Sequence, residues 1–152
     1  MLQLAGTQKV NGMRKHSYYL QLDEDFLEDP EVQLFIEEKG KEAVFDYLML
    51  LLIMRSYKNT DYMIPWTMIP IIARRQLMST PEKLEDTVKY CLKINFFELH
   101  TDDFGERFFF SRRRQLDLRM WQVKSEKNRD AGIKGMQSRW KNRKKEDNED
   151  ED

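Results

Sequence analysis

Thirteen lysines and arginines crowd the segment Arg112–Lys145: Arg112, Arg113, Arg114, Arg119, Lys124, Lys127, Arg129, Lys134, Arg139, Lys141, Arg143, Lys144 and Lys145. Against them stand three acids, Asp117, Glu126 and Asp130, so the segment carries +10. Ammonium and guanidinium groups at this density do not make bonds; they neutralise a polyanion and release its counterions. If about six to eight of these charges meet phosphates, log K falls with log salt at a slope of roughly −5 to −7. The arginines near the start have planar forks that suit phosphate oxygens. Trp121 and Trp140 punctuate the run and could stack on exposed bases. The plainer alternative is a solvated helix with Trp121 packed on a core, followed by a disordered polar tail.

Further cations lie upstream. A helix expected over Thr80–Ile94 turns Glu82, Lys83, Asp86, Lys89, Tyr90 and Lys93 outward. Lys83, Lys89 and Lys93 could reach phosphates and Tyr90 a sugar or base, although Glu82, Glu85 and Asp86 oppose a phosphate backbone. Arg74, Arg75 and Arg107 complete the candidate DNA-contacting set; each also reads as an ordinary surface charge.

No other constellation carries chemistry. Asp23, Glu24, Asp25, Glu28 and Asp29 favour a helix N-terminus, where each negative charge gains about 0.3–1 kcal/mol, over a metal site. Cys91, the single cysteine, falls on the apolar face of its helix as a small hydrophobe. His16 and His100 have no catalytic partners in sequence, and Gly132 and Gly135 do not follow a strand as a phosphate loop would. The expectation is a non-enzymatic protein with no metal and no cofactor.

The elements that position the cations can be traced from the pattern. Tyr18–Leu22 reads as a short strand, and Asp29-Pro30 opens a short helix that stops at Gly40. A second helix is expected over Lys41–Lys58, apolar on nearly every side through its second half, which fits a core centre or a subunit contact. Tyr62-Met63-Ile64 forms a short strand before Pro65. Trp66–Met78 contains a third helix whose start lies nearer Met68 or Ile69, because Pro70 fits only a first turn. Ser79-Thr80-Pro81-Glu82 caps a fourth. Phe96–His100 and Arg107–Ser111 then flank a turn at Thr101–Glu106. From Arg112 helix resumes with Leu116, Met120 and Val123 as an apolar stripe, and Gly132 and Gly135 weaken its continuation.

This order predicts a mainly α chain with a small β-hairpin (α+β): a winged helix-turn-helix with an N-terminal strand-helix extension and a C-terminal basic helix. The expected parts are a flexible leader over 1–16, the winged domain over 17–111, the basic helix and arm over 112–145, and an acidic disordered tail over 146–152. Residues 1–111 carry −5 and the tail −6, so a chain of net charge −1 is divided into three charge blocks. The longest apolar run, Tyr47–Met54, is far short of the roughly 20 residues a membrane span needs. One cysteine excludes an internal disulfide framework and points to a reducing cytoplasm.

The chain resembles the N-terminal winged-helix domain of phage replisome organisers and DnaD-like replication initiators over roughly Tyr18–Trp140. The likeness lies in Tyr18-Tyr19-Leu20-Gln21-Leu22 followed by Asp25-Phe26-Leu27, the helix ending Leu50-Leu51-Leu52, and the strand Phe96-Phe97-Glu98-Leu99. It extends through Ser111-Arg112-Arg113-Arg114 and Ser125–Gly135 to Arg139-Trp140, with Met136 where similar proteins often have a second glycine. The resemblance implies binding to double-stranded or single-stranded DNA during replication initiation, replisome proteins as partners, and self-association. The apolar Phe45–Met54 run and the edge strand Tyr18–Leu22 are the expected homo-oligomer contacts. Two rival readings are a winged-helix transcriptional regulator with a short palindromic site, and an interaction module whose basic arm meets an acidic protein or RNA.

Overall fold

The computed structural model describes residues 20–150, with side chains through Glu146. The expected leader and Tyr18 and Tyr19 of the first expected strand lie outside the described residues. Leu20, Gln21 and Leu22 are in no strand. Chain contacts divide the protein into two compact units, residues 1–116 and 117–152.

In the first unit, α1 spans Pro30–Lys39 and α2 spans Lys41–Ile53. The Asp29 carboxylate accepts the Glu31 N–H at 2.8 Å while Pro30 occupies the first turn, a cap contributing about 1 kcal/mol. Between the helices Gly40 adopts φ +89°, a conformation that a side chain would strain. Helix α2 ends five residues earlier than its apolar pattern predicts. A 3₁₀ segment, Met54–Thr60, follows it, with a kink at Tyr57 and left-handed Asp61 and Tyr62. Thr60 Oγ1 closes that turn by donating to the Met63 carbonyl at 2.7 Å.

Strand β1 is only Ile64–Pro65, shifted from the expected Tyr62–Ile64. Helix α3 is Ile69–Arg75 with Pro70 in its first turn, and it stops short of the expected Met78. Helix α4, Pro81–Lys93, starts where the hydroxyl-proline-acid signal places it: Thr80 Oγ1 accepts the Lys83 N–H at 3.2 Å. Strands β2 (Glu98–Thr101) and β3 (Arg107–Phe110) form the hairpin. Asp102 Oδ1 accepts the N–H groups of Phe104 at 2.9 Å and Glu106 at 2.8 Å, and Gly105 takes φ +82°.

The sheet is antiparallel, ordered β1-β3-β2, with Ile64 opposite Phe109 and Leu99 opposite Phe109 on the other side. Phe108, Phe109 and Phe110 are all buried, so the central strand is covered on both faces. Its sequence is accordingly continuous rather than alternating. The fold is mainly α with this small sheet. Val32 and Phe35 of α1, Leu50 of α2, Ile72 of α3, and Leu84, Val88 and Cys91 of α4 form the core. The Phe35 ring packs tilted against Tyr90 at 5.0 Å between centroids, and Tyr47 lies 5.3 Å from Phe96. Burial pushes the Cys91 thiol up, as expected of a small hydrophobe. The apolar run of α2 is split: Leu50 and Leu51 are buried, whereas Phe45 and Leu52 are exposed.

Helix α5 runs from Arg112 to Asp150, 39 residues and about 58 Å. It passes through Gly132 and Gly135, where the sequence predicts weakening. It also continues through Glu146–Asp150, where a disordered tail is expected. The two glycines cost about 1 kcal/mol each against alanine, which their helical neighbours outweigh. Leu116, Met120 and Val123, the expected apolar stripe, stand exposed.

Candidate nucleic-acid interface

The cations of the sequence fall into three groups. The first is spent on structure. Arg114 is 5% exposed, and its Nε donates to the Leu51 carbonyl at 2.9 Å. Leu51 lies in the last turn of α2, at the negative end of the helix dipole, so the guanidinium caps that end. Arg112 donates through Nε and Nη2 to the two oxygens of Glu98 at 3.0 and 3.2 Å, which holds the Glu98 carboxyl below its usual range. Arg113 lies 3.4 Å from Asp23. The expectation that Arg114 contacts DNA is therefore corrected: burial removes it from any ligand. Arg112 and Arg113 are exposed but already face carboxylates.

The second group surrounds α4. Tyr90, expected outward, is 6% exposed, because position 90 turns toward Phe35 rather than solvent. Its phenol is pushed up by burial and by Glu38. Lys83, Lys89 and Lys93 are exposed, as are Arg74 and Arg75 at the end of α3. Arg107 lies over the Trp66 ring at 4.7 Å, Trp66 Nε1 donates to Glu85 at 3.3 Å, and Lys89 faces Glu85 at 4.0 Å. This chain ties the hairpin to α4. Glu82, Glu85 and Asp86 make the N-terminal half of α4 acidic, with Asp86 held by Lys39 at 3.1 Å. A recognition helix offers that half to base edges, so α4 presents the wrong charge there. The link from Arg107 through Trp66 to Glu85 was not legible in the sequence, where 41 positions separate the first pair and 19 the second.

The third group lies on the second unit, residues 117–152. Arg119 is half-buried, and Lys124, Lys127, Arg129, Lys134, Arg139, Lys141 and Arg143 are exposed, as are Lys144 and Lys145. Lys127, Lys134 and Lys141 recur every seven residues. Seven residues is close to two turns, so the three ammonium groups share one face, with Lys145 beside them. A separate face, about a third of a turn away, carries Ile133, Met136 and Trp140, 44%, 54% and 60% exposed. The Arg143 guanidinium lies 6.0 Å from the Trp140 ring. Trp121 is half-buried and Trp140 open.

Among the described residues no three His, Cys, Asp or Glu side chains converge as a metal site. Among them also, no helix is long and apolar enough to cross a membrane.

Comparison with curated proteins and with solved structures finds no match. A protein family described as Lin1244/Lin1753-like, N-terminal, matches residues 19–113, which span the first unit from its first described residues through the start of α5. The chain belongs to the Lin1244/Lin1753-like N-terminal family.

Proposed function

We propose that the protein binds DNA in phage or bacterial replication initiation, through a winged helix-turn-helix body and a phosphate-contacting basic helix. One observation carries the reading: the exposed lysine row Lys127, Lys134 and Lys141 on a helix whose residues 124–145 bear nine cations and two acids. The order helix, β1, helix, helix, hairpin and the strand arrangement β1-β3-β2 support a winged body. The resemblance to replisome organisers supplies the replication context. The acidic start of α4 favours phosphate affinity independent of sequence over base reading in the groove.

With Lys124 and Lys145 beside the row, about five charges meet phosphates at once, and the slope of log K against log salt is about −4.5. The deciding experiment titrates duplex with and without candidate origin sequence, single-stranded DNA and RNA, each at three salt concentrations. Binding to DNA with that slope supports the reading. Weak binding to every nucleic acid overturns it in favour of a protein-interaction module, and strong selectivity for one palindromic duplex in favour of a transcriptional regulator.

A further inference from the structure

Phosphate binding accounts for the lysine row but not for the neighbouring face of α5. Ile133, Met136 and Trp140 follow at spacings of three and four, the pattern by which one helix seats on another. All three are substantially exposed. Continued at the same spacing, this seam takes in Glu126 and Arg129 on one side and Arg143 on the other. Each of these is exposed as well.

The charges on the seam say what covers it. A parallel twin would set Arg129 on Arg129 and Arg143 on Arg143, juxtaposing like charges where water is excluded. Turned end for end about a point between Ile133 and Met136, the same helix gives a different set of partners. Ile133 then faces Met136, Arg129 faces Trp140, and Glu126 faces Arg143. Each contact occurs twice, as a two-fold interface requires. The pairs are apolar on apolar, a guanidinium on an indole face, and an acid on a base. Lys127, Lys134 and Lys141 all fall on the side away from the seam.

We propose that residues 126–143 of α5 pair antiparallel with the same segment of a second copy of this chain. The pairing stands without the DNA reading, and it deepens that reading by giving one assembly two outward lysine rows. Three apolar side chains per copy make a modest core, so the dissociation constant falls roughly in the 10–100 µM range.

The test is sedimentation equilibrium of the full chain from about 1 to about 200 µM, at about 0.3 M salt, where a Debye length of about 6 Å screens the net repulsion. The expected result is a monomer–dimer equilibrium that Met136→Glu abolishes. Glu126→Arg and Arg143→Glu each weaken it at least about tenfold, and the double exchange restores most of the loss, because the two positions face each other only in the antiparallel register. Far-UV circular dichroism of each variant controls for folding. A wild-type monomer throughout overturns the proposal, as does a dimer indifferent to the single exchanges or a double exchange without recovery. Heparin binding of the Met136→Glu monomer is measured separately. Absence of heparin binding in the wild type and in every variant would sink the polyanion reading alone.

Discussion

Arg114 and Leu51 are joined by a 2.9 Å hydrogen bond from the guanidinium Nε to the backbone carbonyl, across 63 positions of sequence. The buried arginine of α5 therefore serves the end of α2. A row of three arginines, Arg112 to Arg114, is thus one structural cap flanked by two carboxylate partners rather than a triple phosphate clamp.

Replacing Arg114 by alanine should expose the consequence. The Leu51 carbonyl loses a charged donor and a cavity opens, so urea unfolding should show a loss of roughly 2–3 kcal/mol. Polyanion affinity of the folded variant, measured at fixed salt, should match the wild type.

The lysine row should behave oppositely. Lys127→Gln, Lys134→Gln and Lys141→Gln together should leave stability within about 0.5 kcal/mol, because all three side chains are exposed. The salt slope of DNA binding should become shallower by about 2.7, three contacts at 0.9 each. Lys83→Gln with Lys89→Gln, on the mixed-charge surface of α4, should alter it by less than about 1.

The hairpin tie is a coupling between Trp66 and Arg107. Their 4.7 Å stack predicts a double-mutant-cycle energy of about 0.5–1 kcal/mol between Trp66→Phe and Arg107→Ala in denaturant unfolding. Additive effects would remove the tie.

Tyr47 sets an alkaline limit. Burial, then the proximity of Cys91, pushes its phenol from 10.0 up to about 12, against a small opposing pull from Arg113. The folded state prefers the neutral ring, so this contribution is intact below pH 10 and is lost as pH rises from there toward about 12. Tyr47→Phe should flatten the fall in stability across that window, read by urea midpoints at successive pH values, while leaving the curve below pH 9, beneath the unfolded phenol's range, parallel to the wild type.

Local signals were read directly from the chain. Asp29-Pro30 and Thr80-Pro81 place helix starts because a cap is a contact between residues two or three apart. Gly40 and Asp102–Gly105 place turns for the same reason, and the charge blocks need no fold at all. What the tertiary structure decided are contacts over long separations. Burial turned Tyr90 inward onto Phe35 and Arg114 onto Leu51, and left Met120 and Val123 outside, which periodicity alone does not distinguish from a core stripe. Periodicity tells which residues share a face; only the packing of other elements tells which face meets them. The lysine row shows both halves of this. Its seven-residue spacing stands in the sequence, but it becomes one face only because helix continues through Gly132 and Gly135.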